Sequence, residues 1–353
     1  LNEQGRLGYR VEKSVGYGDK DERRKYAALL RLDAGHTYEY VHDRLPDNEL
    51  YGHPLNYHAR RGYNLIETYA VTRCPSLDYS ADPKPPWDLD NWLYTVKGSV
   101  FLFMRRDGAA EQTREYKLYT GRVGWGENLQ ETIQPAIDKA PPGFRPVRLL
   151  FAGSGMLGSG VSVVLESDLN VLAPAKVEYQ VVKETRDLVK EINWRAAAGA
   201  RYIGGGRNGP FKVALLAQGA AAGLSDYTFL DDNKAAKKFD KLVAAGYSYK
   251  GMMGGDLACE SDEMVSQKLV FARDIAGPTR SYKILSLPEP KRVGPTAPAL
   301  SELQRLASEN FRIRDIFYAY GLYVILEKDD YLPDAGVNRR DGNISTNLND
   351  GIR

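Results

Sequence analysis

Apolar positions along this chain recur mostly with a period of two, interrupted by a few stretches of helical spacing. Residues 26–41 read as extended chain, with Leu30 and Leu32, then His36, Tyr38, Tyr40 and His42, on alternating positions. Residues 100–104 and 213–216 are apolar runs of core-strand length. Residues 128–139 place Leu129, Ile133 and Ile137 on one helical face, and Pro135 strains that run. The counterpart, residues 301–309, opens on a capping pattern from Ser301 to Gln304. Two further helices are predicted, over about 184–197 and 233–245, the second stopped by Gly246. Strand, helix, strand, strand thus ends each half, which suits an antiparallel sheet with a helix on one face.

The same motifs return in the same order. Phe144-Arg145 through Ala152 aligns without gaps to Phe311-Arg312 through Ala319, and each is followed by a second strand, 163–168 and 324–329. Upstream, Arg114-Glu115-Tyr116-Lys117-Leu118 matches Arg280-Ser281-Tyr282-Lys283-Ile284, and Arg122-Val123-Gly124 matches Arg292-Val293-Gly294. Nearer the starts, Arg31, Ala34, Gly35 and Tyr38 recur as Arg195, Ala198, Gly199 and Tyr202, and Val11 and Val15 as Val177 and Val181. The expectation is an α+β protein of two tandem, diverged copies of one antiparallel-sheet-plus-helix module. Residues 1–172 and 173–330 form the copies, about 165 residues each, and 331–353 a polar tail. Two related copies would pack about a pseudo-twofold axis, with a groove between them.

Composition narrows the function classes. The 353 residues carry 48 Lys and Arg against 46 Asp and Glu, a net charge of +2 that supplies no global field for nucleic acid or an anionic membrane. No apolar run is long enough to span a bilayer as a helix, so a soluble protein is expected. Cys74 and Cys259 form no metal-spacing pair; one bridge between the halves and two free thiols both stay open. Leu1 in place of an initiator Met fits either a trimmed chain or a removed leader, the latter with an organellar destination, and the compartment stays open. The 23 tyrosines offer apolar area with a hydroxyl handle, suited to contact surfaces and to solvent-edge strands alike.

Residues 116–125, Tyr-Lys-Leu-Tyr-Thr-Gly-Arg-Val-Gly-Trp, then a helix, then 144–152 and 161–170, resemble the second half of an FK506-binding-type prolyl isomerase domain. The similarity covers about 75 residues in each copy. It implies that Trp125 matches the family's pocket-floor tryptophan, and Trp125, Tyr116, Phe151, Tyr282 and Tyr320 are the candidates to line a pocket or to bind a partner, although neither copy would complete the family's apolar pocket. The departures are substantial: Ser154-Gly155 replaces the family's Ala-Tyr-Gly loop in the first copy. The second keeps Ala319-Tyr320-Gly321 but has Pro295-Thr296 where the tryptophan belongs. The resemblance therefore implies a retained fold and a lost activity.

Other signals for chemistry are weaker. Gly153 to Gly158 is a G-x-G-x-x-G after a strand, but β-branched Val161 to Leu165 follows where a dinucleotide site needs a helix, so a hairpin is expected. Gly204 to Gly209 lacks a P-loop's lysine and is expected as a flexible turn. His36, His42, His53 and His58 lie close in sequence, but a strand separates the first two too widely for one ion; no metal site is expected, and the histidines are placed at solvent edges. Basic clusters at 23–25, 60–61 and 105–106 are short and read as solvated faces.

The leading expectation is a non-enzymatic scaffold or linker that binds other protein subunits of a larger assembly, such as an antenna or organellar complex. No cofactor is expected, and loops 46–63 and 74–92, which mix proline with aromatics, are expected to lie on partners. The alternative is an FK506-binding-type isomerase-like enzyme or chaperone, with a nucleotide-dependent enzyme behind it.

Overall fold

One β-α-β-β motif recurs through residues 1–17, 25–45, 52–72, 96–109, 112–123, 129–155, 158–169, 178–183, 187–208, 211–218, 225–255, 267–274, 280–287, 297–318, 321–329 and 344–345, which the computed structural model describes. The second unit is β3 (Tyr38–Leu45), α2 (Gly52–Ala59), β4 (Asn64–Thr72) and β5 (Val96–Arg106). The third is β6 (Arg114–Val123), α3 (Leu129–Asp138), β7 (Arg145–Gly155) and β8 (Gly158–Asp168). The fourth is β9 (Glu178–Lys183), α4 (Leu188–Ala197), β10 (Ala200–Asn208) and β11 (Phe211–Gln218). The fifth is β12 (Ser225–Asp231), α5 (Asp232–Ala244), β13 (Ser248–Gly255) and β14 (Lys268–Asp274). The sixth is β15 (Arg280–Leu287), α6 (Ala297–Ser308), β16 (Arg312–Tyr318) and β17 (Leu322–Asp329). The first unit has α1 (Asn2–Arg6), β1 (Tyr9–Tyr17) and β2 (Lys25–Leu32), and the place of its leading strand belongs to β18 (Ile344–Ser345). In every unit the last strand is central and antiparallel to both neighbours.

Local chemistry repeats as closely as topology. Each helix ends on a residue of positive φ: Gly8 at 90°, Gly62 at 81°, Gly143 at 85°, Gly199 at 90°, Gly246 at 85° and Asn310 at 68°. Glycine adopts this region without a Cβ penalty and asparagine tolerates it, so these residues turn the chain from helix into strand. Three residues later the following strand bulges, between Val11 and Lys13, Leu65 and Glu67, Pro146 and Arg148, Tyr202 and Gly204, Tyr249 and Gly251, and Ile313 and Asp315. A bulge leaves one residue outside the ladder and re-aims its neighbours.

The units close into a ring. Each helix packs on the leading strand of the next unit: α1 on β3, α2 on β6, α3 on β9, α4 on β12, α5 on β15, and α6 on β18. Every hydrophobic cluster straddles such a junction. Leu55, Phe101 and Phe103 meet Tyr116 and Val164, for example, and Leu303 and Leu326 meet Leu29 of the first unit. Each large side chain buried there contributes about 1.5–3 kcal/mol, so stability resides between units. The second strands, β1, β4, β7, β10, β13 and β16, follow one another around the inside. β10 pairs parallel to β13 at Gly206↔Gly254, and β1 lies against β16.

A recurring clamp fixes the junctions. Asn56 Nδ2 donates to Tyr116 O (2.9 Å) while its Oδ1 accepts from Tyr116 N (2.9 Å). Asn2 holds Tyr40 in the same way (3.0 and 2.6 Å), Asn193 holds Tyr227 (3.0 and 2.6 Å), and Gln134 spans Tyr179 O and Val181 N (2.8 and 2.7 Å). The clamped tyrosine then reaches back: the hydroxyls of Tyr40, Tyr116 and Tyr227 accept the bulge amides of Val11 (2.9 Å), Leu65 (2.9 Å) and Tyr202 (3.0 Å). Burial pushes the phenols of Tyr40 and Tyr116 well above their usual range. Tyr40, Tyr116 and Tyr227 are therefore internal fasteners.

The α+β class with repeated antiparallel sheet-plus-helix modules is observed, and the repeating motif is about a third of the half-chain. Phe144-Arg145 and Phe311-Arg312 occupy the same place in the third and sixth units, directly after the positive-φ residue. Four local expectations are corrected. The segment 26–41 is two strands joined by a turn at Gly35 (φ 84°). Ser301 lies inside α6, which begins four residues earlier. Gly204 to Asn208 belong to β10, because a Cβ at Gly205 would stand 2.7 Å from Val213 O and the sheet needs glycine there. Residues 52–59 of the expected loop 46–63 are α2. Loop 74–92, Cys74 and Cys259 lie outside the described residues. Among the described residues no helix is long and apolar enough to cross a membrane.

Candidate functional site

The residue after each bulge marks the inner wall of the ring: Lys13, Glu67, Arg148, Gly204, Gly251 and Asp315, in unit order. Four of these six equivalent positions carry charge, two of each sign. Lys13 Nζ lies 4.0 Å from Asp315 Oδ1, and Arg148 Nε lies 3.8 Å from Glu67 Oε1. The two pairs sense each other, for Glu67 feels Arg148 and Lys13 as attractive charges and Asp315 as a repulsive one.

Backbone and phenol groups hold the cluster in place. Arg148 Nη2 donates to Ile66 O (3.0 Å), stitching the third unit to the second. Its Nε is buried without a hydrogen bond. Glu67 accepts from Thr68 N (3.1 Å), and Asp315 accepts from Ile316 N (3.0 Å) and from the Tyr249 hydroxyl (2.9 Å). That last bond joins β13 to β16 and completes the inner circle. On the opposite side, a Cβ added at Gly204 or Gly251 would meet nothing within 4 Å. Tyr202, buried beside them, donates its hydroxyl to Met252 O (3.3 Å). The wall is thus charged over four units and recessed over two.

Burial is the largest influence on Glu67 and raises its carboxyl above the usual range, opposed by Arg148. A carboxyl raised in the folded state is more easily kept protonated there than in the unfolded chain. Its ionisation therefore subtracts stability as pH rises through the folded-state value. Glu67→Gln is expected to be at least as stable as the parent at pH 8, by up to about 1 kcal/mol. The difference should shrink towards zero as pH falls to 4.5. Urea unfolding across that range checks it; a deficit that grows with pH would show the ion pair to be net stabilising instead.

Chemically, the cluster is self-neutralising. Each acid already faces a base, so a ligand entering the axis would have to displace an internal partner.

The residues singled out in the sequence are not gathered here. Tyr116 is fully buried at the junction of the second and third units, and Tyr282 is buried between the fifth and sixth. Neither lines an open pocket. Phe151 lies in β7 opposite Val161, and its side chain is outside the described residues, as are Trp125 and Tyr320. The run at Gly153 to Gly158 joins β7 to β8, with Gly155 paired to Gly158, so a strand follows it. Of the histidines, His42 is exposed and His36 sits 3.2 Å from Asp107, but His58 is buried, 3.1 Å from Asp43, correcting its placement at a solvent edge. His58 packs on Phe103 at 4.6 Å between centroids, which is what draws it inward. No group of three or more His, Cys, Asp or Glu among the described residues could hold a metal ion. Arg61 lies over the Tyr57 ring (3.9 Å), and Arg105 pairs with Glu39 at 2.5 Å.

Sequence reasoning missed the axial cluster. The signal was present as a positive-φ residue followed five positions later by Lys13, Glu67, Arg148 or Asp315. No protein-family model matches the chain, and no curated protein matches it.

Proposed function

We propose that this chain is a non-enzymatic scaffold that holds partner proteins within a larger assembly. The observation that carries the reading is an exposed aromatic at the same helical position in two units. Trp194 of α4 is 68% exposed and Tyr57 of α2 is 41% exposed, each directly after the asparagine that clamps the next unit. The inner faces of these helices are spent on the ring, so the aromatics face outward, where large apolar groups favour protein contact. An arginine accompanies each: Arg195 lies 5.7 Å from the Trp194 ring, as Arg61 does closer to Tyr57. Aromatic and arginine together are the side chains that anchor protein interfaces. Duplication of a three-unit half belongs to the same reading, since the third and sixth units share their longest run of similar sequence.

The native mass in a gentle extract of the source tests this. The chain is expected to migrate far above its own 39.4 kDa, and Trp194→Ala to shift a measurable fraction towards the free monomer while leaving the folded ring intact by circular dichroism. A wild-type chain that travels as a free monomer would sink the scaffold reading.

A further inference from the structure

The first unit is completed from the far end of the chain. Ile344 pairs with Arg31 and Ser345 with Leu30, antiparallel, on the edge of β2 that leading strands occupy in the other units. Register makes the equivalence specific. In each of the other units the strand residue one position beyond the bulge's partner on the central strand faces a tyrosine: Tyr40, Tyr116, Tyr179, Tyr227 and Tyr282. In the first unit that position is Arg31, and it faces Ile344. α6 packs on β18 just as the other helices pack on the leading strands that follow them. Gln304 stands six residues before Asn310, as Asn193 stands before Gly199.

We propose that β2 and α6 form a strand-accepting groove and that the C-terminal segment around Ile344 occupies it as a releasable latch. Among the described residues β18 pairs over two, whereas the other leading strands run from six to ten and β2 offers eight. Among the described residues the closure is thus the shortest leading-strand ladder in the ring, and it joins segments held together by no covalent neighbour. An edge strand with free amides and carbonyls binds an extended peptide through its main chain, and side-chain pockets select the sequence. The register sets position 344 opposite Arg31, two residues along β2 from Leu29, whose core partners Leu303 and Leu306 belong to α6, so an apolar residue suits that position.

The test uses the full chain with Ile344→Asp and a labelled peptide spanning residues 338–353 of the parent sequence. Aspartate at that position sets a charge beside the apolar core of α6 and β2 and is expected to empty the groove. The variant is expected to bind the peptide roughly tenfold or more tightly than the parent, whose tethered segment competes at high effective concentration. A peptide carrying the same Ile344→Asp change is expected not to bind. A folded variant that ignores the parent peptide, or a parent chain that binds it as tightly as the variant does, overturns the proposal. Amide exchange on the parent chain decides independently of whether the variant folds. At least one amide of Ile344 and Ser345 should exchange roughly tenfold or more slowly than in the free peptide; both at the free-peptide rate would overturn the latch.

Discussion

Asn193→Ala is expected to destabilise the protein by about 2–4 kcal/mol, read as a lower urea midpoint with an unchanged slope. The Asn193 amide is a two-pronged fastener: Oδ1 accepts from Tyr227 N at 2.6 Å and Nδ2 donates to Tyr227 O at 3.0 Å. Those backbone groups lie on the outer edge of β12, whose ladder partner is on the other side. Alanine leaves a donor and an acceptor without partners at a junction where Tyr227 is buried, and each unsatisfied group costs about 1–3 kcal/mol. Asn193→Asp should not rescue the loss, because a carboxylate can accept from the amide but repels the carbonyl oxygen. A loss under about 0.5 kcal/mol would mean that water replaces the clamp and that the shared geometry of Asn2, Asn56 and Asn193 is energetically idle.

Gly5→Ala should cost about 3 kcal/mol or more, for a steric reason. A Cβ at Gly5 would stand 2.1 Å from Tyr38 O and 2.9 Å from the Tyr40 ring, and the first of these neighbours is backbone that cannot swing aside. α1 would have to lift off β3, breaking the Asn2 clamp with it. Gly35→Ala is the control. That site has open space but a φ of 84°, so the change should cost only about 1 kcal/mol through conformation. Thermal unfolding of the two variants separates the effects; similar shifts would show that α1 is free to move.

The elements themselves were largely legible. The apolar face of residues 129–137 yields α3 despite Pro135, and Gly246 ends α5 where expected, because both signals are local. The motif length was not, for a physical reason. Loops of unequal size separate the six glycine or asparagine turns, so no fixed period survives in the sequence. The pairing of Arg31, Gly35 and Tyr38 with Arg195, Gly199 and Tyr202 matched a strand–turn–strand to a helix–turn–strand. A positive-φ glycine followed by a tyrosine serves both. The axial charges were illegible because Lys13, Glu67, Arg148 and Asp315 differ in kind while sharing a place. Only the closing of the ring makes an acid in one unit the partner of a base in another. The exposed aromatics were equally hidden, since Trp194 and Tyr57 stand outside any apolar stripe and only helix packing reveals which face is spent.

The pairing of Arg31 with Ile344 has a consequence for synthesis. A ribosome delivers Ile344 more than 300 residues after Arg31, so the edge of β2 stays bare while the units between them are made. Units two to five can dock pairwise as they emerge, each helix finding the strand that follows it within a short stretch of chain. The final joint must instead bring together residues more than 300 apart in sequence, the slowest kind of contact to form. Until it does, an unpaired strand edge is exposed to other nascent chains. Aggregation of this protein should therefore track the time between the emergence of β2 and that of Ile344.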